Sequence, residues 1–396
     1  MRMPVAIRAI VAKYWLPSVI YGGVLAAFTW LLWWKLGTLT GGYSPQELAA
    51  FNNSLHLKDI YHSPLNAPFT LLVHALLYIE HNSLLMVRVA ATLFGLGVLT
   101  AFYWLVRYWH GQRAAIFGTI LFGTSAWFLH TARLGTPDVL LFGLLGLTAC
   151  SVWFKHTRGP VPVVLCLVLA AMLLYVPGMV WFIIAGVIWQ AKTIDRVFKQ
   201  HLWMVTVGGL VFLAILAPLG LAIYHSPDLA KTLVGLPAGW PQPLDMLERV
   251  AQVPFHLLLR GPLDPQHWLG RLPLLDGFAI GMLLLGIYVY GKHAKLIRTQ
   301  LLVVILLIGT GLYALGGAVS LSIIVPFVYI LAAAGIGFLL DRWYAVFPRN
   351  PIARSVGAGL MTLVVLTSSF YGYRHYFVAW PNAPETRPVF TITQPR

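Results

Sequence analysis

The chain has 396 residues, of which 59% are hydrophobic and only 10% charged, with 27 Lys and Arg against 12 Asp and Glu. A soluble domain carries about 25% charged residues, so this composition excludes an ordinary soluble enzyme and places most of the chain in lipid. A net charge of +15 would suggest nucleic acid in a soluble protein, but its distribution along the chain removes that reading.

The N-terminus opens with Arg2, Arg8 and Lys13 and continues into a long apolar run. That run is too long for a signal-peptide core and reads as an uncleaved membrane anchor. Apolar runs long enough to cross a bilayer, about 20 residues, recur near 14–36, 83–106, 114–131, 137–154, 160–175, 177–191, 202–224, 273–290, 299–315, 319–340 and 355–373. They predict an all-α polytopic membrane protein of about 11 transmembrane helices, one integral membrane domain over 1–396. Only Tyr175-Val176-Pro177-Gly178 divides the fifth run from the sixth, as a turn or as a kink. Cys150 and Cys166 fall within apolar runs and read as packing residues, neither a disulfide framework nor a metal site.

With the N-terminus in the cytoplasm, the inner segments hold sixteen of the 27 Lys and Arg but only Asp195 and Asp341 of the 12 acids. Every inner loop is then basic, as the positive-inside rule requires. The basic excess therefore orients the chain and touches anionic lipid; no nucleic-acid partner is implied. Ten carboxylates lie at or beyond the outer face, which carries two long loops, 37–82 and 225–272, and a tail, 374–396.

The first outer loop begins Ser44-Pro45-Gln46-Glu47, a helix start with Ser at N-cap, Pro at N1 and Glu at N3. Glu47 is a capping-box residue on this reading, and also a carboxylate on a rigid mount beside the membrane. The helix that follows has one mostly apolar face and lies in the interface. Lys58, Asp59 and His62 sit in the polar stretch after it as substrate-binding candidates, with snorkelling the plainer alternative for Lys58 and His62. A short apolar helix from about Pro68 to Ile79 is re-entrant or interfacial, and His74 within it is a packing residue. Arg88 lies about one turn inside the second span, where a guanidinium is costly and points to function, unless it snorkels to headgroups. Gly95 and Gly97 suggest close helix packing.

The next outer turn is Arg133-Leu134-Gly135-Thr136-Pro137-Asp138. Asp138 is at N2 of a helix, where the helix dipole stabilises a carboxylate by about 0.3–1 kcal/mol. Arg133 beside it suits a phosphate-bearing substrate, and the carboxylate suits a hydroxyl or amine that must lose a proton. The second long loop carries an amphipathic segment, Leu244 to Leu259, and then Arg260, Asp264, His267 and Arg271. It covers a lipid-phosphate headgroup, selects an acceptor, or is a cap without chemistry. His62, His256 and His267 with Glu47 lack the spacing of a metal site, and metal dependence stays open.

In their order and sidedness these stretches resemble the GT-C superfamily of polyprenyl-phosphate-dependent glycosyltransferases, in particular the protein O-mannosyltransferases and aminoarabinose transferases. The likeness rests on Ser44 to Ala50, Asn66-Ala67-Pro68-Phe69, the span from Arg88 to Tyr108-Trp109-His110-Gly111, and Ala132 to Leu141. It covers about the first 150 residues. The resemblance implies an inverting transferase that uses a polyprenyl-phosphate sugar donor and a glycan, lipid or protein acceptor. It also implies Glu47 as the base, Asp138 as the second acidic position, and Arg88 and Arg133 as support for the phosphate or the acids. Three positions depart from the family pattern: Gln46 precedes Glu47 where two acids are common, Asn66-Ala67-Pro68 lacks a Lys before the Pro, and Ser320-Leu321-Ser322 stands where an Arg-Tyr pair is frequent. Phosphate binding then falls to Lys58, Arg88 or Arg133, or to Arg260 or Arg271. A lipid-linked sugar transporter or flippase is disfavoured, because the spans hold few mid-membrane polar residues and the halves show no matching broken helices. A non-catalytic subunit of an envelope-assembly complex is the other alternative. Compactness suggests a prokaryotic plasma membrane, with the active site and C-terminus outside.

Overall fold

The structure, a computed structural model, describes Val19 and residues 22–81, 83–157, 160–200 and 202–393. Arg2, Arg8, Lys13 and Arg158 lie outside the described residues. The first helix described is α1 (Gly22–Trp33). Three short helices follow in the first loop: α2 (Pro45–Asn52), α3 (Leu57–His62) and α4 (Ala67–Leu77). Next come α5 (Leu85–Gly123), α6 (Ala126–Arg133), a 3-10 turn (Pro137–Phe142), α7 (Gly143–Thr157), α8 (Pro160–Leu173), α9 (Met179–Gln200) and α10 (Leu202–His225). The second loop holds α11 (Pro227–Val234), α12 (Pro243–Leu258) and a hairpin of β1 (Leu263–Asp264) and β2 (Trp268–Leu269). The chain closes with α13 (Gly277–Lys292), α14 (Ile297–Leu315), α15 (Val325–Val346) and α16 (Pro351–Arg374).

The protein is an all-α integral membrane protein. Among the described residues six helical stretches are long and apolar enough to cross a membrane: Leu85–Gly123, Pro137–Lys155, Val205–His225, Ile297–Leu315, Leu321–Val346 and Pro351–Ala379. The expected count of eleven is not reproduced, for local reasons. The stretch α5 holds the second and third expected spans as two helices that fold back on each other at Gly111, whose φ of 86° is open to glycine: Phe102 stacks on Phe122, and Gly123 lies against Leu99. The end of the third breaks off as α6, capped by Ser125, whose hydroxyl accepts from the Phe128 N–H. Helices α8 and α13 have 14 and 16 residues, short of a full crossing. Helix α9 carries Lys192, Asp195, Arg196 and Lys199 in its second half. The turn at Tyr175 to Gly178 is a true break: Gly178 has φ 76° and donates its N–H to the Leu233 carbonyl, while the Tyr175 carbonyl accepts from the Asn66 N–H.

Helix α15 is the centre of the bundle, buried along nearly its whole length. It packs on α13 through Gly335 and Gly286, where a Cβ would strike the Met282 and Leu331 carbonyls of the opposite helix. Small residues let two backbones approach in a medium with no hydrophobic drive between helices. Gly95 does the same against Ala132, whereas a Cβ at Gly97 would meet nothing. By contrast α10, α14 and α16 expose rows of Leu, Ile, Val and Phe, as lipid-facing helices do.

The three segments that the charge pattern places outside, 37–82, 225–272 and 374–396, meet at one end of this bundle. Tyr43 pairs with Ile392 as an antiparallel bridge, Gln266 donates to Gln46, and Trp380 donates to the Pro265 carbonyl. Arg271 forms an ion pair with Glu385. Gly42 lies so close to the Phe390 carbonyl that a Cβ there has no room.

Candidate active site

The Ser44-Pro45-Gln46-Glu47 start folds as its residue types dictate. The Ser44 hydroxyl accepts from the Glu47 N–H at 3.3 Å, and Glu47 Oε2 accepts from the Ser44 N–H at 2.8 Å. This capping box is fully buried. Arg88 of α5 reaches the same carboxylate with two donors, Nε to Oε1 at 2.7 Å and Nη2 to Oε2 at 3.0 Å. Its remaining donors go to the Leu36 and Gly42 carbonyls, 2.9 and 2.8 Å, and to the Thr40 hydroxyl, 3.2 Å. The guanidinium also lies over the Tyr43 ring, 4.3 Å from its centre. Finally Glu47 Oε1 accepts from the Gly135 N–H at 3.0 Å, and Gly135 is a glycine because a Cβ would press on Val87.

Glu47 thus accepts four hydrogen bonds, two on each oxygen, and joins the end of the first span, α2, α5 and the turn after α6. Two charges inside a protein are tolerated only with this degree of pairing. Arg88 is wholly engaged here; neither it nor Glu47 faces open space, with Glu47 0% exposed and Arg88 2%.

Arg133 is equally buried, and its anchor differs. Its Nη1 and Nη2 donate to the carbonyls of Leu31 and Trp34, 3.0 and 2.5 Å, closing the end of the first span. Its plane lies over Phe377 and Tyr376. Its Nε is buried and has no hydrogen-bond partner among the described residues.

Asp138 is the open carboxylate. Its side chain is 32% exposed, and its close ionic neighbour among the described residues is His267, with Oδ2 and Nε2 3.5 Å apart. His267 comes from the hairpin of the second loop. Asp264 organises that hairpin: Oδ1 accepts the Gln266 N–H at 3.2 Å, Oδ2 pairs with His267 Nδ1 at 2.9 Å, and its carbonyl accepts the His267 N–H at 2.8 Å. Gly270, with φ 65°, turns the chain back, and Trp268 buries its ring between Trp127 and His375. His267 Nε2 is buried and has no hydrogen-bond partner. Burial disfavours the imidazolium, but the Asp264 hydrogen bond and the charges of Asp138, Asp264 and Glu47 outweigh it and hold the His267 pKa above its ordinary value. Burial likewise opposes the Asp264 carboxylate, yet its bond to His267 brings its pKa below the usual range.

Lys58, Asp59 and His62 all lie exposed on α3, apart from the Glu47 and Asp138 clusters in every contact described. His74 is a packing residue, its Nδ1 at 2.8 Å from the Ser54 carbonyl. Among the described residues no group of three His, Cys, Asp or Glu is placed to hold a metal ion. His267 is the residue that the sequence undervalued. The available signal was its i,i+3 spacing from Asp264 across Pro265-Gln266, a turn in which the first side chain reaches the fourth.

No protein-family model matches the chain, and no curated protein does. Solved structures do. The crystal structure of ArnT from Cupriavidus metallidurans in the apo state superposes with a TM-score of 0.60 over 94% of this chain and 78% of its own, at 14% identity. The same protein bound to undecaprenyl phosphate gives 0.53 over 93% and 76%, at 12% identity. The chain has the fold of ArnT. The likeness covers far more of the chain than the first 150 residues that carried the resemblance in sequence.

Proposed function

We propose that the protein is an inverting glycosyltransferase that takes a sugar from a polyprenyl-phosphate donor at the membrane surface, on the face bearing the two long loops. The observation that carries this reading is the pairing of an ArnT fold with a half-open carboxylate, Asp138, mounted beside a sealed one, Glu47. Such a reaction needs one group to accept the proton of the acceptor hydroxyl or amine. Asp138 has free lone pairs and partial exposure; Glu47 has neither. We therefore place the base at Asp138 and give Glu47 the task of fixing the first loop against α5 and the 135–138 turn.

In this scheme the acceptor O–H or N–H bond breaks towards Asp138 and a new bond forms to the sugar C1. The C1–O bond to the phosphate breaks on the opposite side, and the polyprenyl phosphate departs with its electron pair. The leaving group is already an anion, so a nearby cation suffices and no general acid is required. Arg88 is occupied within the fold and Arg133 is buried with both Nη groups bonded to carbonyls, so the exposed Lys58 and Arg260 are the first candidates for the phosphate. An apolar cavity of about 420 Å³ between α7, α8, α9, α10 and α14 supports a lipid-linked donor. Its lining includes Lys155, Ile194 and Ile297, close to segments that the charge pattern places inside, so it offers room for an isoprenoid tail and not for the headgroup.

The test is transfer by purified protein in liposomes across a panel of radiolabelled polyprenyl-phosphate sugars, with Asp138→Asn beside wild type. Consumption of one donor by wild type and its loss in Asp138→Asn are expected. A wild type that neither binds nor consumes any donor would leave a likeness of fold only, as in a non-catalytic subunit.

A further inference from the structure

The second loop contributes one side chain that the scheme above leaves unassigned. His267 stands between two carboxylates on different elements, with Asp264 Oδ2 at 2.9 Å from Nδ1 and Asp138 Oδ2 at 3.5 Å from Nε2. Asp264 fixes which ring nitrogen faces which partner, as the orienting carboxylate of a His dyad does. The Nε2 atom is buried, lacks a hydrogen-bond partner, and lies next to the half-open Asp138. The hairpin that carries it is held on three sides. Gln266 donates to Gln46 of α2, Trp268 donates to the Leu272 carbonyl, and Trp380 of the tail donates to the Pro265 carbonyl.

We infer that His267, oriented by Asp264, is the positioning residue of Asp138: its Nε2 aims that carboxylate at the acceptor, so that docking of the second loop completes the site. The inference rests on the transferase reading and deepens it. A slight rotation of either side chain turns the 3.5 Å ion pair into a charge-assisted hydrogen bond, from Nε2–H to Oδ2. The contact engages Oδ2 and leaves Oδ1 of Asp138 for the substrate proton. His267 transfers no proton itself. Asp264, Asp138 and Glu47 favour its charge, and His130 of α6, also close, disfavours a second charge.

The sign of the pH dependence follows. An unpaired His titrates near pH 6.5, and His267 is raised above its ordinary value. The contact is therefore complete below about pH 6.5 and is lost as pH rises through the folded value. Transfer should fall on that alkaline limb.

The experiment is a pH titration of the full-length protein in nanodiscs by ¹⁵N-histidine NMR, with His267→Gln assigning the resonance, paired with transfer rates of wild type and variants across the same pH range. In wild type His267 should titrate above the ordinary value, and both Asp264→Asn and Asp138→Asn should move it to lower pH. Asp264→Asn should carry the alkaline limb of transfer down with it, and His267→Gln should erase that limb and lower kcat by about 10- to 100-fold, as loss of an orienting partner does, with KM for the donor unchanged. A His267 titration that Asp138→Asn does not move overturns the inference, whatever the transfer rates. A titration that moves in a wild type without transfer overturns the functional reading, and with it any catalytic part for this contact.

Discussion

The two carboxylate-bearing stretches, Gly42 to Ala50 and Arg133 to Asp138, look alike in sequence. Each is a short polar turn, a hydroxyl residue, a Pro and an acid at the head of a helix. In the fold they part company. Glu47 closes a capping box, takes both arms of Arg88 and the Gly135 N–H, and disappears from the surface. At the other helix start the Thr136 side chain makes no capping hydrogen bond, and Asp138 faces outward towards His267. Neighbouring arginines follow the same division of labour: Arg88 neutralises an acid, whereas Arg133 ties down the carbonyls of Leu31 and Trp34. An acid at a helix head is thus a fastener when its partners arrive from other elements, and is available for chemistry when they do not.

This contrast can be broken in several ways. The largest effect is expected on transfer: Asp138→Asn should slow it by about 100- to 10,000-fold, the usual share of a general base, with an unchanged melting temperature in detergent. Equal losses of melting temperature in Asp138→Asn and Glu47→Gln would erase the distinction between the two acids. Arg88→Leu strips the partner from a buried anion and should destabilise the fold by about 3–5 kcal/mol, read as a fall in the denaturant midpoint. Arg133→Ala removes two charge-assisted bonds to carbonyls, each worth about 1.5–3 kcal/mol. Its loss should likewise appear in stability, and donor affinity measured in the remaining folded protein should stay at the wild-type value. Smallest in stability is Lys58→Ala, an exposed change expected within about 0.5 kcal/mol of wild type, yet with a raised KM for the donor.

Much of the fastener was legible in advance. Ser44-Pro45-Gln46-Glu47 announces its own cap, because all of its partners lie within four residues. The cost of Arg88 in a span announces a buried partner. What the chain alone could not say is which partner, since Glu47 and Arg88 are 41 residues apart and Glu47 and Gly135 are 88 apart. The same distance effect hid the contact of His267 with Asp138, made by a loop folding back across 129 residues, and the tail, which reaches Tyr43 through Ile392. Gly95 and Gly97 read identically in sequence, and only one faces a neighbouring helix. The span count is not reproduced among the described residues for another reason. Hydropathy registers apolar length, but Gly111, Ser125 and the short α8 and α13 break or curtail helices without lowering it.

The central claim is that the open carboxylate does the chemistry and the sealed one holds the frame. Its most direct test is a side-by-side measurement of donor binding, donor consumption and melting temperature for wild type, Asp138→Asn and Glu47→Gln, in one liposome preparation with one polyprenyl-phosphate sugar. The account predicts that Asp138→Asn binds the donor and melts like wild type but consumes none, while Glu47→Gln melts early. A Glu47→Gln protein that binds and melts like wild type yet consumes nothing, beside an active Asp138→Asn, would contradict it and return the base to Glu47.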